Sequence, residues 1–499
     1  MLVAVLVAAS LLGRVYGASF AIDNIYHSVW FITLWAVTAV AAMVYVMLVS
    51  RRATLVVLHA SFVLVLLGAF VSFLTSRRGD MVLVQESAPA SMFETADGTL
   101  VRLPFRLQLL SIDTVCSDGD AVPDDYIAHI VADDRLEQMA HVVSLNRPMQ
   151  KDGYQLCIKG VDDGYLSLLV SYDTYGRYIS YAGYAMVFVS FLMLFFDPKS
   201  GFNCVLQQMK SASGAVKCGS GKQKARLHKV PSLCSHLSSL TTQCVAESAS
   251  ARYSKCTLSL CSRLLTAFRF PLSASRFPLS TISILLCVLV CLLWYGRGVF
   301  PATNGAEALM LLVVFVMLFA VALRHKREFA LLRRVLVVVS VIIFAIAACN
   351  LDGGGEVQPI LRTPLLGVHV TTIIIAYALL ACAAVNAVIA LCTADGRRQE
   401  KQAHLGRLLL YPATMLLAGG IFIGAVWANL SWGRYWGWDP KEVWALVTLL
   451  VCSVAFHTRS LRFMARPVVF HIFCIVAFVA VLFTYFGVNY LLGGLHSYA

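Results

Sequence analysis

Long apolar runs, separated by short polar segments, make up most of this chain. A membrane-spanning helix needs about 20 apolar residues, so each run predicts one span. A shorter run at 2–12 ends in Val-Tyr-Gly-Ala-Ser, which allows a signal peptide, but the span count favours a clipped or tilted first span. The other runs lie at 29–49, 53–75, 179–196, 279–295, 306–323, 335–349, 367–392, 408–428, 442–457 and 467–487. The pattern predicts a mainly α, polytopic membrane helix bundle of about 11 spans.

One segment, 76–178, has a different pattern and predicts an extracytoplasmic β-rich domain. Apolar and polar residues alternate over 103–109 and again over 154–159. Such alternation is typical of half-buried strands. Asp-Gly pairs at 97–98, 152–153 and 163–164 predict hairpin turns between the strands. About 100 residues can bury a small core, so we expect this segment to fold as one unit.

The stretch 199–277 divides the chain into two halves. It is rich in Ser, Cys, Lys and Arg and poor in acidic residues, which predicts a flexible, basic cytoplasmic linker. The preceding half, 1–198, carries four predicted spans and the β-rich domain. The following half, 278–499, carries seven predicted spans. This organisation is that of two subunits joined end to end.

Charge indicates how the chain sits in the membrane. The composition is 59% hydrophobic and 13% charged, with a mean hydropathy of +0.76 and a formal net charge of +13. The basic residues are scattered over loops between spans, which argues against nucleic-acid binding. Positive loops usually face the cytoplasm, which places 429–441 and the C-terminal end outside with 76–178. The predicted cytoplasmic loops are 51–52, the linker, 324–334, 397–407 and 459–466.

The cysteines exclude two kinds of site. The chain has 15 cysteines but no Cys-x-x-Cys and no Cys-x-x-Cys-His. It therefore has neither a thioredoxin-type redox motif nor a c-type haem attachment site of its own. Cys116 and Cys157 are the two cysteines of the outer segment. Because pairs in an oxidising compartment often bond, a disulfide between them is one of two open alternatives.

Tryptophans are concentrated in the outer segment 427–444. Five of the chain's eight tryptophans lie there, interleaved with glycines and charged residues. Tryptophan is common at membrane interfaces, but an interfacial belt needs only one or two. The segment predicts a flat aromatic shelf with charged edges, which suits a planar ligand with acidic side arms such as haem. The alternative is an interfacial helix that anchors the fold. The residues concerned are Trp427, Trp432, Arg434, Trp436, Trp438, Asp439, Lys441 and Trp444.

Four histidines lie at the two membrane surfaces. His59, inside its span, and His457 fall on the cytoplasmic side, whereas His369 and His496 fall on the outer side and flank the tryptophan segment. An ionisable residue within a span is costly and points to function. Haem iron takes two axial ligands, often imidazoles from different elements. Two layers of two histidines therefore predict haem at two depths, although a histidine at a span end can also be a snorkelling interfacial residue.

These motifs resemble a known family. The segment 432–442, Trp-Gly-Arg-Tyr-Trp-Gly-Trp-Asp-Pro-Lys-Glu, resembles the "WWD" signature of haem-handling membrane proteins. The ending 487–499 resembles the C-terminus of the CcsA (ResC) component of system II cytochrome c synthases. The first half resembles the partner CcsB (ResB) at 59–62, 68–69, 79–83 and 103–105. The order of the halves is that of natural CcsB–CcsA fusions.

The resemblance implies a holocytochrome c synthase in the bacterial cytoplasmic (inner) membrane. Haem b would be a noncovalent substrate that crosses to the periplasmic face, where its vinyl groups are joined to the Cys-x-x-Cys-His of apocytochrome c. Thioredoxin-like proteins would keep those thiols reduced. By motif, His59 and His457 match the transmembrane iron ligands, and His369 and His496 match the external, catalytic pair. The porphyrin would pack on Trp427, Trp432, Trp436 and Trp438, Asp439 would orient a neighbour, and Arg434 or Lys441 would pair with a propionate.

Three alternatives remain open from the sequence. A haem exporter or chaperone without ligase activity would share the tryptophans and histidines. A diheme b-type redox subunit would need histidines facing each other within the membrane. A purely structural membrane scaffold is disfavoured by the arrangement of histidines and tryptophans.

Overall fold

The computed structural model describes residues 1–50, 52–116, 123–133, 138–162, 164–217, 279–297, 300–350, 358–458 and 460–492. Within these ranges the main helices are α1 (Leu2–Tyr16), α2 (Val29–Tyr45), α3 (Ala53–Thr75), α4 (Tyr175–Phe196), α5 (Gly201–Lys217), α6 (Leu279–Arg297), α7 (Gly305–Ala322), α8 (Ala330–Ala348), α9 (Pro364–Leu391), α10 (Gly396–Trp432), α11 (Pro440–Val454) and α12 (Pro467–Leu482). A π-helical stretch, Phe483–Leu492, continues α12.

The described ranges contain nine helices that are long and apolar enough to cross a membrane. They confirm a multi-pass helical membrane protein, but not the expected number of spans. The difference lies in α1 and α11, each 15 residues long. At about 1.5 Å per residue, each covers roughly 22 Å, less than the hydrocarbon thickness of about 30 Å. The two short helices pack on each other, with Trp444 Nε1 donating to Ser10 Oγ at 3.0 Å.

The predicted β-rich domain is confirmed as an eight-stranded antiparallel sheet. Its strand order is β5-β4-β3-β2-β1-β8-β7-β6. Gly98 and Gly153 have φ values of 78° and 81°, so the predicted Asp-Gly turns do lie between strands. The strands are β1 (Arg77–Val84), β2 (Ala90–Thr95), β3 (Leu100–Val115), β4 (Asp125–Asp133), β5 (Gln138–Ser144), β6 (Met149–Lys151), β7 (Tyr154–Asp162) and β8 (Tyr165–Tyr172).

Alternating inward residues of the strands form the core of this domain, and Phe105, Leu107 and Leu168 are almost fully buried. The chain enters through β1, directly after α3, and leaves through β8, directly before α4. These two strands pair along their whole length. The sheet is therefore attached to the membrane part through two adjacent strands and two adjacent helices.

Helices α3 and α4 pack at very short range because small residues line their contact. A Cβ added at Gly176 would lie 2.4 Å from the backbone nitrogen of Ser72, and one at Gly68 would lie 2.5 Å from that of Ser180. Small residues let membrane helices approach closely where no hydrophobic driving force holds them together. This close pair continues into the sheet and fixes the position of β1 and β8.

The predicted linker begins differently from expectation. Its first part is helix α5, in which Val205 is buried and Phe202 meets Tyr411 of α10 edge to face at 6.1 Å. Burial against α10 stabilises a helix in a segment whose Ser- and Lys-rich composition predicted none. The remainder of the predicted linker lies outside the described residues.

Candidate functional site

The two inner histidines come together from opposite halves of the chain. His59 lies on α3, and His457 follows α11 by three residues. Their ring centroids are 6.5 Å apart and the ring planes cross at 85°. Imidazole nitrogens bind first-row metals at about 2 Å, so two rings on opposite sides of one iron have centres roughly 6–7 Å apart. The observed spacing fits a haem iron between them.

Hydrogen bonds orient both rings. His59 Nδ1 lies 2.8 Å from the carbonyl oxygen of Leu55, and His457 Nδ1 lies 2.9 Å from that of Ser453. Since a carbonyl only accepts, each Nδ1 carries the hydrogen and each Nε2 presents a lone pair. This is the arrangement in which histidine binds metals.

The outer histidine His369 lies in a groove of α10. Its Nδ1 contacts the carbonyl oxygen of Gly420 at 2.7 Å. A Cβ at Gly424 would lie 2.5 Å from its Cε1, so only glycine lets the ring lie against the α10 backbone. His496, its predicted partner, lies outside the described residues. The ligand assignment of both residues remains a prediction.

The tryptophan rings do not form the flat shelf that the sequence predicted. Trp436 and Trp438 meet at 89° and 5.8 Å, and Trp427 and Trp432 meet at 69° and 4.8 Å. The ring quadrupole favours such edge-to-face pairs over coplanar ones. Within the described part of the chain, the buried indole nitrogens of Trp427 and Trp436 have no hydrogen-bond partner. The four indole rings therefore form two edge-to-face pairs instead of the predicted plane, and the N–H groups of Trp427 and Trp436 are available to donate.

Trp438 is held by the N-terminal half. It stacks on Tyr26 at 4.3 Å with planes 5° apart and meets Phe31 edge to face at 5.5 Å. Its backbone has a φ of 56°, a region disfavoured for bulky residues. Sequence reasoning missed Tyr26 and Phe31, because their only signal is an aromatic pair beside a span. They show that both halves build the aromatic site.

The charged residues of the segment have structural contacts. Asp439 caps α11 and accepts from the backbone N–H of Lys441 at 3.1 Å, while Glu442 Oε2 accepts from the backbone N–H of Asp439 at 3.1 Å and from that of Gly437 at 2.8 Å. This capping box fixes the turn that carries Trp436 and Trp438. Lys441 Nζ donates to Asn489 Oδ1 at 2.8 Å, which ties α11 to the end of the described chain.

Tyr435 points away from its tryptophan neighbours and enters the α3–α4 contact. Its buried hydroxyl lies 2.7 Å from Ser72 Oγ, which in turn donates to Asp173 Oδ2 at 2.6 Å. Burial raises the pKa of Tyr435, so the hydroxyl stays protonated and can donate. The segment is thus anchored where the sheet joins the membrane helices.

A second polar contact fixes the sheet on the end of α10. The fully buried Gln155 of β7 donates to the carbonyl oxygen of Asn429 at 2.5 Å. Its Oε1 accepts from Arg177 at 2.6 Å and from Asn429 Nδ2 at 3.2 Å. Every hydrogen-bonding atom of this amide is paired across the two halves, so the junction is specific in orientation.

The alternative of a Cys116–Cys157 disulfide is wrong for this structure, in which both thiols are free. Cys116 is exposed just after β3, whereas Cys157 on β7 is buried and points at the carbonyl oxygen of Leu430, 3.6 Å from its sulfur. β3 and β7 are not neighbours in the sheet. Burial raises the pKa of Cys157 to about 11, so it is a protonated packing residue rather than a redox group.

A cavity of about 320 Å³ opens between the sheet and the C-terminal half. The strand loops contribute Asp124 and Asn146, the segment before α9 contributes Arg362, and α10 contributes Trp427 and Leu430. Asp124 and Arg362 form an ion pair across it. The cavity has both polar and apolar walls and lies beside one of the two tryptophan pairs.

Comparison with known proteins agrees with this arrangement. The family described as "Cytochrome C assembly protein" matches residues 302–496, and the "ResB-like family" matches residues 49–177. The chain is 31% identical over 215 residues to Protein NrfI of Wolinella succinogenes, covering 41% of this chain and 24% of that protein. It is 28% identical over 254 residues to the cytochrome c biogenesis protein CcsA of Guillardia theta, covering 43% and 83%.

A third relative, CcsA of Chlamydomonas reinhardtii, is 32% identical over 235 residues, covering 43% of this chain and 65% of that protein. The match thus spans about a quarter of NrfI and most of the CcsA proteins. Together with the helical bundle and outer sheet, these findings define a multi-pass membrane protein of cytochrome c biogenesis that handles haem. The chain therefore carries a ResB-like region followed by a region like the cytochrome c assembly proteins, in the order of a fused CcsB–CcsA (ResB–ResC) protein.

Proposed function

We propose that the protein moves haem b from His59 and His457 to an outer site at His369 and His496, and there joins it to apocytochrome c. The observation that carries the proposal is the His59–His457 pair, which two halves of the chain place at the spacing of two axial ligands. The protein acts in the bacterial cytoplasmic membrane, with the ligation site on the periplasmic face. Haem stays noncovalent here and is the substrate.

The reaction forms two thioethers. Each cysteine thiol of the substrate's Cys-x-x-Cys-His adds across one vinyl group, so that sulfur bonds to one vinyl carbon and the thiol proton ends on the other. Positioning of two reactants can lower such a barrier by several kcal/mol. Thioredoxin-like partners keep the thiols reduced. No oxidant or further leaving group is needed, so the protein's task is to hold haem and peptide together.

The side chains would divide this task. His369 and His496 would hold the iron until the histidine of the substrate replaces one of them. Trp427, Trp432, Trp436 and Trp438 would contact the porphyrin, and the indole N–H groups of Trp427 and Trp436 would donate to its acidic edge. Asp439 would fix the turn, and Arg434 and Lys441 would supply positive charge. The cavity beside Trp427 would receive the Cys-x-x-Cys-His segment.

A co-expression experiment tests the proposal. Wild type and the alanine variants of His59, His457, His369 and His496 are each expressed with an apocytochrome c in cells without another maturation system. We expect wild type to give holocytochrome and to purify with b-type haem, and each variant to lose most of both. His129→Ala on the outer sheet is the control, because this partly exposed histidine pairs with Asp113 at 3.1 Å and lies in the sheet rather than among the proposed ligands.

The outcomes separate the alternatives. Haem in the purified protein without holocytochrome indicates an exporter or chaperone. Sustained electron transfer from a quinol to a dye indicates a b-type redox subunit, which the facing inner histidines would also suit. Normal haem content and maturation in all four variants would contradict the ligand assignment.

A further inference from the structure

Arg78 is a half-buried cation that sequence reasoning did not single out. It is the second residue of β1 and lies directly opposite Ser171 of β8. Its Nε is buried and has no hydrogen-bond partner among the described residues. Side chains of directly opposed residues share one face of a sheet, so Arg78 lies on the face of Ser171. Arg77, one residue earlier, points to the opposite face and is exposed.

That face of the sheet meets the tryptophan segment. A Cβ at Gly433 would lie 3.4 Å from the Cβ of Ser171, so the turn after α10 sits on the same face as Arg78. Arg434 comes next in the chain. A Cβ at Gly437 would lie 2.9 Å from its Cζ, so the guanidinium covers the glycine between Trp436 and Trp438. Two cations from different halves therefore converge beside the aromatic pair.

Among the described residues, the charge of Asp173 acts on Arg78, but the two do not form an ion pair. No carboxylate among them forms an ion pair with Arg78 or Arg434. The nearest acid in the network, Asp173, accepts from Ser72 Oγ and from the backbone N–H of Arg177. Burial and the charge of Arg434 lower the pKa of Arg78, while the charge of Asp173 raises it. Since like charges at a partly buried site repel, an anion that binds both guanidinium groups would stabilise the arrangement.

We propose that Arg78 and Arg434 form a two-arginine clamp for the propionate carboxylates of haem at the outer site. The guanidinium fork matches a carboxylate with two parallel hydrogen bonds. The clamp lies against Trp436 and Trp438, inside the junction of the two halves rather than on a lipid-facing surface. This inference rests on the proposed function and extends it, because it adds that one arginine from each half binds the propionate edge of haem.

The test compares haem with its dimethyl ester, whose propionates carry no charge. Both are titrated into purified, haem-depleted full-length protein in detergent, in a His59→Ala background that removes the inner site. Arg78→Gln and Arg434→Gln should each weaken haem binding roughly tenfold to a hundredfold, the range for a lost charge-assisted hydrogen bond. Binding of the ester should be weak in the parent and unchanged by either variant.

Two further variants complete the design. Arg77→Gln, at the exposed first residue of the same strand, should bind haem like the parent. Arg78→Lys keeps the charge without the fork and should recover part of the affinity, which a mere folding defect would not allow.

Three outcomes would overturn the clamp. The first is an unchanged haem affinity in both glutamine variants, and the second is an equal loss of affinity for haem and for the ester. The third is that the variants lose a copurifying anionic lipid while their haem affinity stays unchanged. If the parent binds haem through His369 and neither arginine substitution changes the haem affinity, the clamp is wrong but the proposed function stands. If the parent binds no haem at all, the proposed function fails with it.

Discussion

At the scale of single residues, the inner histidines are oriented before any ligand arrives. Each Nδ1 is held by the carbonyl oxygen four residues earlier, Leu55 for His59 and Ser453 for His457. Such a contact fixes both the tautomer and the ring direction. In the proposed haem site, the helical backbone would therefore orient the two rings as a carboxylate does in many metal sites.

Cys157 gives a prediction at this scale. Because the pKa of Cys157 is raised to about 11, only a very small fraction of its thiol is deprotonated at neutral pH. That fraction increases only as the pH approaches the pKa. We expect N-ethylmaleimide at pH 7 to modify the exposed Cys116 within minutes and to leave Cys157 unmodified in the folded protein. Peptide mass spectrometry reads both sites. Modification of both only after treatment with a reductant would instead reveal a disulfide.

At the scale of elements, the α3–α4 contact depends on glycine. Gly176 and Gly183 leave no room for a methyl group, since a Cβ at either would lie under 3.0 Å from the backbone of the other helix. The outer sheet begins and ends on these two helices. Any separation of the helices would therefore also disturb the pairing of β1 with β8.

Gly176→Ala should accordingly destabilise the protein. Overpacking costs about 1–3 kcal/mol, so the midpoint of thermal unfolding in detergent should fall by several degrees. Gly419→Ala is the matched control, since it makes the same change within α10 where a Cβ meets nothing within 4 Å. An equal fall of the unfolding midpoint in both variants would show that the loss of stability does not come from the α3–α4 contact.

Local patterns predicted the elements well and their contacts poorly. Apolar runs identified the long spans, and Asp-Gly pairs identified hairpins, because both signals are local. The helix α5 was missed since its stability comes from Tyr411, which is distant in sequence. His59 was a candidate because a histidine within a span is costly. Arg78 and Tyr26 were missed, because their roles depend on strand register and on how the two halves dock.

At the scale of the whole molecule, the two halves hold each other through contacts at both membrane faces. His59 meets His457 at one end, and Tyr45 accepts a hydrogen bond from Ser460 nearby. At the other end Gln155 binds Asn429. These contacts do not require the two halves to be joined in one chain. Covalent fusion therefore fixes the one-to-one stoichiometry of the halves rather than their arrangement.

Cutting the chain tests this view. A protease site inserted between residues 218 and 278 should, once cleaved, leave two fragments that comigrate in size-exclusion chromatography and keep their haem. The double variant Gln155→Ala, Tyr435→Phe removes buried hydrogen bonds that join the halves, and its fragments should separate more readily after the same cleavage. Dissociation of the wild-type fragments would mean that the peptide connection itself holds the halves together.

The division of the inner histidines between α3 and the loop after α11 has a consequence for incomplete chains. Under the proposed function, a chain that ends before residue 457 or begins after residue 59 carries only one of the two imidazoles, and a single axial ligand holds haem far less firmly than two. Such truncated chains would therefore bind haem weakly. Haem is redox-active and damages membranes when it accumulates unbound. Under the proposed function, haem capture by this pair would require that the two halves have folded and docked.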